Sequence, residues 1–91
     1  MKYHVDYTKQ VNKILRKMDL QIREKIYEWV NKFLEGCENP RLYGKALTGN
    51  LKGYWRYETG DYRIVADIRD NKLIILITKV GHRREIYRSN S

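Results

Sequence analysis

The C-terminal half of the chain contains three strand-like runs joined by two very short turns, and this pattern limits the possible folds more than any other feature. The runs span Tyr54–Glu58, Tyr62–Ile68 and Leu73–Val80, and they are rich in β-branched and aromatic residues. The turns at Thr59-Gly60 and Asp70-Asn71 are too short for a crossover connection. The sequence therefore predicts two consecutive antiparallel hairpins.

The N-terminal half contains a strand pattern followed by two helical patterns. Apolar and polar side chains alternate over residues 2–6, which predicts a short strand. The next apolar residues recur at helical spacing: Val11, Ile14, Leu15 and Met18. A second helix is predicted to begin after Asp19, a favoured N-cap residue, and to end near Gly36. Its apolar stripe consists of Ile22, Ile26, Trp29, Val30 and Phe33.

Residues 37–53 are predicted to form a long basic loop, because Pro40, Gly44 and Gly49 interrupt any regular pattern. The predicted order is therefore strand, helix, helix and three strands. We expect an α+β sandwich in which the two N-terminal helices cover one face of a small, mainly antiparallel sheet. The length of 91 residues is that of one small domain, so residues 1–91 are predicted to form a single unit.

The chain is strongly basic, with 19 Lys and Arg against 11 Asp and Glu and a net charge of +8. This charge favours a polyanionic partner such as nucleic acid or the ribosome, although a basic surface that only confers solubility has the same composition. Cys37, the only cysteine, excludes an intrachain disulfide and a cysteine-based zinc site. Charged residues interrupt the N-terminal segment, so we expect a cytoplasmic protein without a membrane span.

Alternation along the predicted strands assigns one set of side chains to the helix-covered face: Trp55, Tyr57, Tyr62, Ile64, Ala66 and Ile68. On the other face, a two-residue turn at Thr59-Gly60 would place Arg56 directly opposite Arg63. Two like charges at this distance are unfavourable unless an anion binds to both. Extending the register through the second turn places Arg63 opposite Thr78.

The chain after the last strand is then expected to lead toward the two arginines, so that five side chains converge: Arg56, Arg63, His82, Arg83 and Tyr87. This interpretation requires that Arg63 and Arg83 do not point apart and that neither is locked into an internal ion pair. Such a cluster suits metal-independent RNA cleavage, in which a 2′-hydroxyl attacks the adjacent phosphorus and the 5′-oxygen leaves. His82 or Tyr87 would transfer protons, and guanidinium groups would neutralise the transition state.

Each of these residues also has a purely structural interpretation. His82 could cap the strand end, Tyr87 could pack on the sheet, and Arg84 could be a solvated charge. No acidic cluster that could hold magnesium is evident in the sequence, so no metal or other cofactor is expected.

Two stretches of the chain resemble the RelE branch of the RelE/ParE toxin superfamily. One runs from Leu47 to Ile64, and the other is Val80-Gly-His-Arg-Arg-Glu-Ile-Tyr87; the second is similar to RelE rather than to ParE. The resemblance implies a toxin of a type II toxin-antitoxin system that cuts messenger RNA in the ribosomal A site. It also implies a cognate antitoxin, for which Val65, Ile74 and Leu76 would offer apolar contacts unless the C-terminal tail covers them.

The resemblance also implies roles for individual residues. Arg63 and Arg83 match family arginines that stabilise the phosphate, Tyr87 matches a C-terminal tyrosine at the scissile nucleotide, and Arg56 matches a basic residue of the preceding strand. Tyr54 stands where some relatives have a catalytic lysine, and Lys45 where others have a glutamate base. The general base therefore stays open, with Lys52 and His82 as candidates. The expected RNA-binding residues are Lys45, Lys52, Tyr54 and Arg84.

Two other functions fit the same fold. One is a non-enzymatic, ParE-like toxin that inhibits DNA gyrase, for which Arg63, Arg83 and Tyr87 would be dispensable. The other is a basic RNA-binding module without catalysis, which could contact ribosomal RNA through the basic faces of the two helices.

Overall fold

The computed structural model describes residues 1–84 of the chain, and it contains two helices and one five-stranded sheet. The helices are α1 (Lys9–Lys17) and α2 (Leu20–Phe33). The strands are β1 (His4–Tyr7), β2 (Lys45–Ala46), β3 (Trp55–Thr59), β4 (Tyr62–Arg69) and β5 (Ile74–His82). Their order in the sheet is β1-β5-β4-β3-β2, with β1 parallel to β5 and all other pairs antiparallel. This architecture confirms the predicted α+β fold.

The segment predicted as a long loop contains one strand that the sequence did not reveal. In β2, Lys45 pairs with Arg56 and Ala46 with Trp55. A 3₁₀ turn follows at Gly49–Leu51. Two paired residues are too few for a periodic pattern, and the pairing comes from the neighbouring strand rather than from local preference.

Both helices begin at side-chain caps. The Thr8 hydroxyl accepts a hydrogen bond from the Val11 amide (3.1 Å), and the Asp19 carboxylate accepts one from the Gln21 amide (3.2 Å), which confirms the predicted cap of the second helix. After α2, Gly36 has a φ of +78°, a conformation that glycine adopts without steric cost. The helix boundaries are thus set largely by local sequence.

The hydrophobic core lies between the helices and one face of the sheet. The helices contribute fully buried Val11, Leu15, Ile26 and Val30, and the sheet contributes Tyr57, Ile64, Ala66, Ile75 and Ile77. Trp55, Tyr62 and Ile68 pack against this cluster. The predicted helix-covered face of β3 and β4 is therefore confirmed.

The predicted pairing within the first hairpin is wrong by one residue on each strand. The turn is formed by Gly60 and Asp61, so Thr59 pairs with Tyr62, and Arg56 lies opposite Val65 rather than Arg63. Gly60 has a φ of +59°, as the first central position of a tight hairpin turn requires, and a β-branched threonine is strongly disfavoured there. Because both strands shift together, every side chain keeps its predicted face.

The predicted pairing within the second hairpin is also wrong. Arg69 pairs with Ile74, so residues 70–73 form the turn, and Leu73 has a φ of +54°. A β-bulge then interrupts the β4–β5 ladder at Val65/Ala66, and beyond it Arg63 lies opposite Gly81 rather than Thr78. A bulge adds one residue to one strand and so reverses which side chains face the core. Val80 is consequently buried at the end of β5.

Candidate functional site

Three charged side chains form a cluster on the sheet face opposite the helices, which we call the uncovered face. Glu58 lies directly across the β3–β4 ladder from Arg63. Its Oε1 atom is 3.4 Å from Nε of Arg56 and 3.6 Å from Nε of Arg63. The two arginines are therefore diagonal neighbours on either side of a carboxylate, and not a directly opposed pair.

This arrangement overturns the argument that two facing arginines need an external anion, because the protein supplies the anion itself. It also shows Arg63 in contact with an internal carboxylate, which the sequence did not predict. The 3.6 Å distance between Nε and Oε1 exceeds hydrogen-bond length, and the Glu58 side chain is 41% exposed. The contact is consequently loose, and its Glu58 side is open to solvent.

Arg83 lies at the same end of the sheet as Arg63. Its backbone amide donates a hydrogen bond to the Asp61 carbonyl oxygen (2.9 Å), which continues the β4–β5 ladder by one step beyond Gly81 and His82. Since Gly81 pairs with Arg63, strand alternation gives Arg83 a register position on the uncovered face. The β-bulge causes this placement, because an uninterrupted strand would put Arg83 on the other face.

His82 lies on the helix-covered side and does not join the arginine cluster. It pairs with Tyr62, and the two rings are 5.5 Å apart in an edge-to-face arrangement. Both line a cavity of about 460 Å³ together with Ile22 and Lys25 of α2. The His82 Nδ1 atom accepts a hydrogen bond from the Arg84 amide (3.2 Å). The predicted convergence of His82 with Arg56 and Arg63 is therefore wrong.

A second opening on the protein surface adjoins the arginine cluster. This β2–β3 cleft has a volume of about 290 Å³ and is lined by Tyr43, Lys45, Arg56 and Glu58. Lys45 enters it because β2 pairs Lys45 with Arg56, which gives both side chains the same face. Tyr43, 46% exposed, has its ring 5.0 Å from that of Phe33.

Gly44, between Tyr43 and Lys45 in the sequence, allows the loop to pack closely against the sheet. A Cβ atom at this position would lie 2.8 Å from Cε1 of the buried Tyr57 ring and 3.1 Å from the Arg56 carbonyl oxygen. Only glycine permits this approach. Tyr43, Gly44 and β2 form no recognisable pattern in the sequence, and so sequence reasoning missed Tyr43 as a site residue.

An ion pair between Arg41 and Asp70 connects the same loop to the turn between β4 and β5. The two terminal guanidinium nitrogens of Arg41 donate to the Asp70 carboxylate (3.1 and 2.8 Å), and the Tyr3 hydroxyl donates to the same group (2.6 Å). Hydrogen bonds from Arg41 and then from Tyr3 lower the pKa of Asp70 to about 2. The Tyr57 hydroxyl additionally donates to the Pro40 carbonyl oxygen (2.6 Å), and burial raises the pKa of Tyr57 well above its usual value.

The remaining predicted site residues that the structure describes lie outside the cluster of Arg56, Glu58 and Arg63. Tyr54 immediately precedes β3, its carbonyl accepts from the Leu47 amide (3.0 Å), and alternation places it on the uncovered face with Arg56. Lys52 is exposed after the 3₁₀ turn, and Arg84 is exposed at the end of the described chain. Tyr87 lies outside the described residues.

Two features of residues 1–84 concern membrane spanning and metal binding. Neither helix within residues 1–84 is long and apolar enough to cross a membrane. Over the same residues, no three His, Cys, Asp or Glu side chains are grouped so that they could hold a metal ion.

Comparison with known proteins places this chain among toxins. The family of the ParE toxin of type II toxin-antitoxin system, parDE, matches residues 5–87. Toxin RelG of Mycobacterium tuberculosis is 31% identical over 88 residues, covering 97% of this chain and 99% of that protein. The mRNA interferase toxin RelE of Escherichia coli is 29% identical over 90 residues, covering 96% of this chain and 92% of that protein.

The fold agrees with these sequence relationships. The crystal structure of the RelBE2 toxin-antitoxin complex from Mycobacterium tuberculosis matches with a TM-score of 0.82 and 27% identity, over 93% of this chain and 95% of that one. These findings confirm the resemblance inferred from the sequence. The chain therefore belongs to the ParE toxin family of type II toxin-antitoxin systems, and within it is a toxin of the RelE type.

Proposed function

We propose that this toxin is an endoribonuclease that cuts messenger RNA in the ribosomal A site by metal-independent attack of a 2′-hydroxyl on the adjacent phosphorus. The observation that supports this best is the position of Arg56 and Arg63 on the uncovered face, with the backbone of Arg83 at the adjoining end of the β4–β5 ladder. Guanidinium groups in such a cluster bind phosphate and neutralise the charge that develops at phosphorus. The relative from Escherichia coli that is named an mRNA interferase is consistent with this activity.

In this proposal Arg63 and Arg83 stabilise the transition state, and Arg56 holds the strand beside them. Tyr87 orients or protonates groups at the scissile nucleotide. Further contacts to messenger RNA come from the margins of the cluster, through Lys45, Lys52, Tyr54 and Arg84. The exposed lysines and arginines of α1 and α2 contact ribosomal RNA phosphates. His82 has no role in this arrangement, because it lies on the other side of the sheet.

We also propose a cognate antitoxin as the partner that silences the toxin. The structurally similar RelBE2 protein from Mycobacterium tuberculosis was solved as a toxin-antitoxin complex. On the uncovered face of this chain, Ile74 and Leu76 are partly exposed and offer apolar contacts, whereas Val65 is buried and offers none. A basic toxin and an acidic antitoxin would associate rapidly through long-range attraction.

The test compares Arg63→Ala and Arg83→Ala with a control on the same sheet, Arg69→Ala, whose side chain pairs with Asp67 (3.1 Å) at the far end of β4. We expect the first two variants to lose growth inhibition and messenger cleavage in cell-free translation, while antitoxin binding and folding persist. The Arg69 variant should remain toxic. Full toxicity of both cluster variants would exclude the nuclease, and inhibition of DNA supercoiling without mapped cuts would favour the gyrase-directed alternative.

A further inference from the structure

We propose that the Glu58 carboxylate is the general base of the cleavage reaction, and that the β2–β3 cleft holds the ribonucleotide whose 2′-hydroxyl it deprotonates. This inference rests on the proposed nuclease function. It assigns a catalytic residue and a nucleotide site that the sequence left open.

The position of Glu58 supports this assignment. Glu58 lies between two members of the arginine cluster, with Oε1 at 3.4 Å from Nε of Arg56 and 3.6 Å from Nε of Arg63. Neither contact is a short hydrogen bond, and the side chain is 41% exposed. The nearest approach to each arginine is made by Oε1, and the exposed side chain is accessible to a ligand. A phosphate on the arginines would bring its neighbouring ribose within reach of this carboxylate.

The β2–β3 cleft has the chemistry of a ribonucleotide site. It combines an aromatic ring (Tyr43), two cations (Lys45 and Arg56) and one carboxylate (Glu58). Cations and a ring would also suit an acidic peptide, but a carboxylate in the same cleft repels one. A ribonucleotide offers a base to stack on the ring, a phosphate for the cations and a 2′-hydroxyl that donates to the carboxylate.

The other candidate bases are less suitable. His82 lies on the helix-covered side beside Tyr62. Lys45 and Lys52 are exposed, whereas Glu58 lies between Arg56 and Arg63. The electrostatic cost of a carboxylate near RNA phosphate is offset by the two guanidinium groups that flank it.

Glu58 takes the proton of the 2′-hydroxyl while the 2′-oxygen forms a bond to phosphorus. The bond between phosphorus and the 5′-oxygen breaks, and the 5′-oxygen takes a proton from a general acid or from water. The products are a 2′,3′-cyclic phosphate and a 5′-hydroxyl, and the glutamic acid returns its proton to solvent.

The experiment measures single-turnover messenger cleavage on ribosomes by Glu58→Gln, with Asp67→Asn as the matched control on the same sheet face. Loss of a general base typically costs about 10²–10⁴ in rate, so we expect at least a 100-fold decrease for Glu58→Gln and a near-normal rate for the control. Glu58→Asp should recover part of the activity. Thermal unfolding verifies that each variant is folded.

The pH dependence separates a base from a residue that only positions the arginines. Between about pH 6.5 and 8.5 the wild-type rate should be nearly constant, because the carboxylate, and not hydroxide, removes the proton. The Glu58→Gln rate should rise about tenfold per pH unit, since hydroxide must then remove the proton. A slow variant with a flat profile would overturn the assignment in favour of positioning.

The cleft is tested by Tyr43→Leu. This variant should bind more weakly than the wild-type toxin to a messenger that carries a 2′-deoxy substitution at the scissile nucleotide. If Glu58→Gln and Tyr43→Leu cut normally and change only antitoxin affinity, the cleft is a protein-binding site and the proposal is wrong. If wild-type protein yields no cuts at all, the nuclease function itself fails. If wild type cuts and Glu58→Gln cuts within about threefold of it, only the base assignment fails.

Discussion

Glu58 and Arg63 face each other across the β3–β4 ladder, and the 3.6 Å between Oε1 and Nε makes them a loose, partly exposed ion pair. Such pairs contribute about 0–1 kcal/mol. We therefore expect Glu58→Gln to change the free energy of unfolding by less than about 1 kcal/mol. Glu58→Lys would place a third cation beside Arg56 and Arg63, so it should destabilise the fold, and added salt should reverse part of this loss. Urea unfolding at two salt concentrations measures both effects.

Asp70 links the Arg41 loop to Tyr3, and its lowered pKa of about 2 makes stability depend on pH. An aspartate in an unfolded chain titrates near about 3.9. Because the folded pKa is the lower one, the contribution of Asp70 to stability is fully present above about pH 4 and is lost as pH falls toward about 2. We expect Asp70→Asn to be less stable than wild type at pH 7 and nearly equal to it at about pH 2.

This prediction is checked by chemical unfolding of both proteins at several pH values. A difference between wild type and Asp70→Asn that stayed constant down to about pH 2 would contradict the role assigned to the Arg41–Asp70 pair.

Two tyrosines on the core side of the sheet should respond oppositely to removal of the hydroxyl. The Tyr57 hydroxyl donates to the Pro40 carbonyl oxygen at 2.6 Å, so Tyr57→Phe should lower stability by about 1–2 kcal/mol. Within residues 1–84 the buried Tyr7 hydroxyl has no hydrogen-bond partner, and burial raises the pKa of Tyr7 to about 12. Tyr7→Phe should therefore leave stability unchanged or raise it. Thermal unfolding of the pair provides the comparison.

Gly44 is expected to be intolerant of a side chain. Gly44→Ala would bring a methyl group to 2.8 Å from the Tyr57 ring, which should cost about 1–3 kcal/mol and displace Tyr43 and Lys45. Gly49→Asn is the matched control, because Gly49 has a φ of +65° and open space where a Cβ atom would lie, and asparagine tolerates this conformation. Thermal unfolding compares the two variants, and equal stability would show that the loop does not need the close approach.

His82 is expected to be dispensable for proton transfer, since it packs against Tyr62 on the helix-covered side. His82→Asn should keep messenger cleavage within about tenfold of wild type and leave its pH dependence between about pH 6 and 8 unchanged. A modest decrease would reflect the lost hydrogen bond from the Arg84 amide. Loss of a limb of the pH profile would instead return His82 to the catalytic site.

The elements of this fold could be predicted from sequence because they depend on neighbouring residues. The helical stripe from Ile22 to Val30, the Asp19 cap and the alternation of β3 and β4 are all local patterns, and each matches the structure. The side chains of β3 and β4 were assigned to the correct faces of the sheet although the hairpin register was wrong, because a shift of both strands by one residue keeps each side chain on its face. The membership of the arginine cluster was predicted less well, because it depends on which residues pair across the strands. That register is set by the turn conformation at Gly60 and Leu73.

What the sequence determined by itself was therefore the order of helices and strands, the core face of β3 and β4, the basic charge and the family resemblance. Tertiary structure alone decided that Glu58 stands between Arg56 and Arg63, that β2 brings Lys45 beside them, and that a bulge turns His82 away while it gives Arg83 a place on the uncovered face. Periodicity is encoded within a few residues, whereas pairing across strands depends on turn dihedrals and on residues far apart in the chain.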